Sequence, residues 1–400
     1  MLLAAGIAVR IVTIVAYRPA LLLQRDTLIY LQTAVASDPS PGRFRPALYP
    51  LFFLKPLLVF NELAVVAIVQ HVMGLATAIA LYLFLRRKGA NGIVAGLAMA
   101  PLLLDGYQVN IEHYVLTEAL FDALVVGAFL LLAWRESPPP LIACAAAGAL
   151  LSAAGLTRFV DLALILPALV YLAWRRVGWL RPALIAAGFA VPFIAYSLWF
   201  QSAEGTTGVT NKNGLFLYGR VSSFSECEGL DLPRPLRRYC LNEPPEDRPP
   251  IIGFWALDTL TRSAIRDPDT NGRLLDFSRR VILNQPLAYA HAVTEDFLRN
   301  LTAGPPIAKE SGAAKWRFPR RLTDARPHPR VVELGGSAPP QMGFDDFEIR
   351  RPLADRLRSY QDVVYTRGPL LALLLLLGLA GAVLNRSAPT LPQIRRTPPA

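Results

Sequence analysis

Charged side chains gather where the apolar runs of this 400-residue chain end. Charge at membrane depth is costly, so such groups pair with one another or line a cavity. Asp26 lies in Gln24-Arg-Asp-Thr-Leu-Ile-Tyr30. A carboxylate there suits proton removal from an incoming hydroxyl. It equally suits holding a divalent cation, Mg or Mn, against a phosphate. The plainer alternative is a loop aspartate paired with Arg25. Arg43 and Arg45 sit in Gly42-Arg-Phe-Arg-Pro46 beside a rigid proline turn. The planar fork of arginine matches phosphate oxygens, with lipid-headgroup contact as the alternative.

Glu112-His-Tyr-Val-Leu-Thr-Glu118 opens a later apolar run. Glu112 and His113 are read as site candidates near the outer surface. Glu118 and Asp122 share one helix face by their spacing. Asp122 is read as a structural hydrogen-bonding residue. Arg158 and Asp161, in Thr157-Arg-Phe-Val-Asp161, either pair with each other or offer Arg158 to an anionic headgroup. Lys55 adds a cation to the first loop, residues 18–62, which is read as lying on the outer side. His71, mid-run on an apolar helix, reads as a buried hydrogen-bonding residue.

The elements that position these groups follow from hydropathy. A spanning helix needs about 20 mostly apolar residues. Spans are predicted near 1–17, 63–85, 92–104, 114–134, 140–156, 159–174, 181–200 and 367–385, about eight in all. The chain is therefore expected to be an all-α polytopic membrane protein. Its parts would be a bundle over 1–200, an extracytoplasmic domain over 201–366, a last helix over 367–385 and a cytoplasmic tail over 386–400. The first run lacks a basic leader and is read as a retained span. Tyr49 to Phe60 holds a lysine and two prolines, too short to span, and reads as an interfacial or re-entrant helix.

Orientation comes from short-loop charge. Arg86, Arg87, Lys88, Arg135, Arg175, Arg176, Arg181, Arg386, Arg395 and Arg396 fall on one side against one acid, Glu136, which makes that side cytoplasmic. Reporter fusions after Arg87 and at Thr270 are expected to report opposite sides, and the same side for both would refute this topology. Basic residues outnumber acidic ones 41 to 30. Most of the surplus borders apolar runs, so a nucleic-acid partner is not inferred. Bias toward Arg, Ala and Pro suggests a bacterial chain. Cys227 and Cys240 both fall in the outer segment and are predicted to form a disulfide. Cys144 reads as a packing residue, and no spacing suggests zinc.

Several segments resemble the GT-C superfamily of glycosyltransferases. These are Asp26-Thr-Leu-Ile-Tyr30 after the first span, Arg45-Pro-Ala-Leu-Tyr-Pro-Leu-Phe52, Leu116-Thr-Glu-Ala-Leu-Phe121 and Leu156-Thr-Arg158. Leu217-Tyr-Gly-Arg-Val-Ser-Ser-Phe-Ser-Glu-Cys227 is similar to actinobacterial phospholipid carrier-dependent, protein-mannosyltransferase-like members. The resemblance implies transfer of a sugar from a polyprenyl-phosphate donor to a protein, lipid or cell-wall acceptor at the outer face of the cytoplasmic membrane. Asp26 would be the acid-base residue. Arg45, Lys55 and Arg158 would meet the leaving phosphate. Two features depart from the family. Asp26 stands beside Arg25 where many members carry paired acids, and one span follows the outer segment where many have several. The rival reading is a lipid or small-molecule transporter or flippase, but transporters favour midplane charges in a repeated fold, and no repeat is visible.

Overall fold

The computed structural model describes residues 1–23, 26–42, 44–158, 163–248, 268–302, 316–321 and 347–387. These are mostly helical. Helix α1 (Leu2–Ala16) is apolar apart from Arg10 and Thr13. It leads into β1 (Tyr17–Arg18), which pairs antiparallel with β2 (Glu348–Ile349), Tyr17 opposite Ile349. Helix α2 (Asp26–Val35) follows. The segment α3 (Tyr49–Phe60) passes from π to α to 3-10 geometry. It buries Tyr49 and Leu54 and exposes Phe52, Val59 and Phe60, as a helix lying at an apolar surface would.

Next come α4 (Leu63–Arg87), α5 (Gly92–Ala98), α6 (Ala100–Leu104) and α7 (Gly106–His113). Asn91 caps α5 by accepting from the Val94 amide, and Asp105 caps α7 through Tyr107 and Gln108. Then α8 (Glu118–Ala133), α9 (Leu141–Thr157), α10 (Ile165–Trp174) and α11 (Leu180–Glu204) complete the apolar half. α9 and α11 approach closely through small residues. A β-carbon on Gly148 would lie 2.2 Å from the Ile185 carbonyl oxygen, and one on Gly188 would lie 2.1 Å from that of Ala145. Substituting either would push the helices apart.

Among the described residues, α4 and α11 are long and apolar enough to cross a membrane. α16 (Arg351–Val363) and α17 (Gly368–Ser387), bent by 49° at their junction, make a third crossing if taken as one. The outward faces of α4 and α11 carry Ile68, Val72, Ile79, Leu83, Val191, Ile194 and Leu198, as a lipid solvent requires. The other expected spans appear as shorter apolar helices of 15, 16, 17 and 10 residues, namely α1, α8, α9 and α10. The expected span over 92–104 is divided at Met99, just before Pro101, which has no amide hydrogen to continue the ladder. That over 114–134 starts late because Tyr114 and Val115 are drawn into backbone pairing with Leu21.

The polar segment has a core of its own. α12 (Asn213–Val221), α13 (Arg234–Arg237) and α14 (Pro268–Asn284) enclose Leu215, Tyr218, Leu236, Tyr239, Leu274 and Phe277. α15 (Pro286–Arg299) follows and is tied to α12 by an Arg220–Asp296 ion pair. Cys227 and Cys240 are joined by a disulfide. Replacing both with serine is expected to destabilise this unit by about 3 kcal/mol, the chain-entropy value for a loop of roughly 15 residues. Denaturant unfolding monitored through the domain's tyrosines would measure it, and an unchanged midpoint would contradict it.

Candidate functional site

Five segments converge on a cavity of about 180 Å³. Its wall includes Asp26 and Tyr30 of α2, Arg45 of the first loop, Thr117 and Glu118 at the start of α8, Thr157 and Arg158 at the end of α9, and Trp316. The ends of α8 and α9 that meet here lie opposite the basic cluster, where Arg87 donates to the Trp134 carbonyl and Arg181 to that of Pro139.

The start of α2 is fixed by Thr27. Its hydroxyl accepts from the Leu23 amide at 2.9 Å and donates to the Val115 carbonyl at 3.0 Å. This ties Asp26 to the extended segment before α8. The first loop is held by the Tyr196 hydroxyl, which accepts from the Ala47 amide at 2.8 Å and donates to the Pro41 carbonyl. Arg45 is thereby presented to Asp26, its Nη2 lying 3.3 Å from Oδ1 and 3.4 Å from Oδ2. Its guanidinium also lies over the Phe216 ring, 5.2 Å from the centroid. On the α8–α9 side, Arg158 Nη1 donates to Glu118 Oε1 at 2.6 Å and its guanidinium stands over Phe121. Burial pushes the Tyr30 phenol up to about 12, with Arg45 opposing the rise and Asp26 and Glu118 adding to it. Tyr30 therefore remains a hydroxyl in the wall at neutral pH.

Two arginine–carboxylate pairs thus border one small cavity. The long Asp26–Arg45 contacts sit at the weak end of hydrogen bonding, so an incoming anion can exchange for the carboxylate at little cost. The arrangement offers a base, two guanidinium groups for an anion and a neutral phenol.

Not every candidate from the sequence reaches this cavity. Glu112 is fully buried, not near the outer surface. α7 turns it into the bundle, where Arg10, His71 and Gln108 hold its carboxylate. His113 is equally buried and donates from Nε2 to the Tyr17 carbonyl at 2.8 Å. Lys55 reaches the Ala36 carbonyl and does not line the cavity. Arg43 and Asp161 lie outside the described residues, so the Arg158–Asp161 pairing falls there too. Tyr30 and Trp316 are wall residues that the sequence reading does not single out, and Glu118 is named there only for the helix face it shares with Asp122. Glu118 carried a signal, since an acid at the first turn of an apolar helix needs a partner. That partner is 40 residues away.

A divalent cation does not fit the donor set. Each cavity carboxylate already faces a guanidinium, and among the described residues no three His, Cys, Asp or Glu side chains converge on one point. A larger cavity of about 690 Å³ lies between α1, α4 and α5, but its lining is apolar apart from Tyr82. A third, of about 660 Å³, lies at the opposite ends of α4 and α8 and is lined by Arg87, Lys88, Trp134, Arg135, Glu136 and Ser137, away from Asp26 and Arg45. No family model, curated protein or solved structure matches this chain.

Proposed function

We propose that the chain is a multi-pass glycosyltransferase of the bacterial cytoplasmic membrane. It moves a sugar from a polyprenyl-phosphate donor to a protein, lipid or cell-wall acceptor at the outer face. The supporting observation is the cavity in which Asp26, Arg45, Glu118 and Arg158 meet at one end of an apolar bundle. The resemblance of the segments around these residues to GT-C enzymes points the same way. A lipid-linked donor calls for such a place, because its isoprenoid tail stays in lipid while its phosphate and sugar need polar partners.

In this reading the acceptor hydroxyl gives its proton to Asp26 as its oxygen bonds to the anomeric carbon. The bond from that carbon to the phosphate oxygen breaks, and the electron pair leaves with the phosphate. Arg45 and Arg158 stabilise the charge that develops there. Glu118 orients Arg158, and Phe216 steadies Arg45. Glu112 and His113 take no part and serve the bundle's interior.

Polyprenyl monophosphate, the leaving group, is the ligand to test. Protein in lipid nanodiscs is expected to bind it, and Arg158→Ala to weaken binding about 10–100-fold, the worth of a charge-assisted hydrogen bond. Native mass spectrometry of the nanodiscs gives the readout. Equal binding by both proteins would remove Arg158 from the phosphate site. Loss of lipid asymmetry in vesicles with no transfer product would instead favour the flippase reading.

A further inference from the structure

The interior of the bundle contains a charged chain that the cavity chemistry does not use. Arg10, His71, Glu112 and His113 are all at most 2 % exposed. They come from α1, α4 and α7 and are linked end to end. Arg10 Nε and Nη2 each lie 2.8 Å from one oxygen of Glu112. His71 Nδ1 is 2.9 Å from Glu112 Oε2, and His71 Nε2 is 3.1 Å from His113 Nδ1. His113 Nε2 is 2.8 Å from the Tyr17 carbonyl.

Each link needs one hydrogen. The Tyr17 carbonyl only accepts, so His113 Nε2 carries a proton. The link between the imidazoles needs a second hydrogen and the link to Glu112 a third. Two neutral imidazoles supply only two. Glu112 is the acid that a guanidinium faces: Arg10 donates to both of its oxygens at 2.8 Å, and Gln108 Nε2 donates to Oε1 at 3.2 Å. A guanidinium bound to both oxygens favours the carboxylate over the acid, which places the third proton on the imidazoles. We infer that the bundle interior is a proton-binding site, holding one proton beyond the neutral count on the His71–His113 pair.

Charged and polar groups of the neighbouring elements face this chain. From α1, Arg10 is matched by Glu112, and its other donors go to the carbonyls of Gly6, Leu102 and Leu103. From α16, Tyr360 donates to the Leu104 carbonyl. From α7, Gln108 hydrogen-bonds Asp122 of α8 as well as Glu112. Asp122 lies one helical turn from the cavity's Glu118. His71 is the imidazole in contact with the Glu112 carboxylate, at 2.9 Å, so the extra proton is placed on His71.

The test is ¹⁵N solid-state NMR of histidine-labelled full-length protein in lipid bilayers near neutral pH. His71 is expected to show both ring nitrogens protonated, its signals identified by their loss in His71→Gln. One protonated and one bare nitrogen on His71 in the wild type would overturn the inference. His113→Gln, whose amide can donate to Tyr17 and accept from His71, should keep His71 doubly protonated. Glu112→Gln supplies the third hydrogen from its own amide and should return His71 to one protonated nitrogen. If that variant does not fold, the wild-type spectrum still decides.

Discussion

Asp26→Asn is expected to lower transfer by at least ~10²-fold while leaving donor binding largely intact. Asparagine keeps the size and one acceptor oxygen but cannot take a proton from a hydroxyl. It should preserve the fold, because Asp26 is about one-third exposed and its contacts with Arg45 are long, at 3.3 and 3.4 Å. The anchors of α2 run through Thr27 and do not involve the carboxylate. Turnover measured at saturating donor separates this effect from that of Arg158→Ala, which should raise the donor concentration required. A variant with normal turnover would show that the base lies elsewhere, and Glu118 would then be the cavity carboxylate to test.

Glu112→Ala is expected to be among the most damaging single changes to stability. It leaves the Arg10 guanidinium buried without its counter-charge, a loss of about 3–5 kcal/mol for a broken buried pair. Gly74 packs directly against the carboxylate, where an added β-carbon would stand 2.1 Å from Glu112 Oε1, so the truncation also leaves a cavity. The melting temperature in mild detergent should fall well below that of the wild type. Replacing Arg10 with methionine as well should recover part of the loss, because the orphaned charge is then gone. An unchanged melting temperature for Glu112→Ala would mean that the interior pair contributes little.

Much of the helical framework was legible in the sequence because apolar run length is a direct physical requirement of a bilayer. α4, α9 and α11 begin and end within a few residues of the expected positions. The failures are equally physical. Pro101 divides one run, and the pairing of Val115 with Leu21 shortens another. Both depend on backbone hydrogen bonding, to which hydropathy is blind. Arg10 was passed over inside an apolar run, although a lone arginine at that depth demands a partner. The partner is 102 residues away, so no local spacing could name it. For the same reason Glu112 read as a surface acid, while the cavity pairs Asp26–Arg45 and Glu118–Arg158 join separate segments. Residue types were visible; pairing across the bundle was not.

The central claim is that this cavity transfers a sugar from a lipid phosphate. The most direct measurement compares lipid-linked sugars and envelope glycans of a deletion strain with those of strains complemented by wild-type or Asp26→Asn protein. Deletion is expected to accumulate one polyprenyl-phosphate sugar and to remove that sugar from one envelope glycan. The wild type should restore both pools and Asp26→Asn neither, although it is present in the membrane at equal level. Unchanged glycans on deletion, or full restoration by Asp26→Asn, would contradict the account.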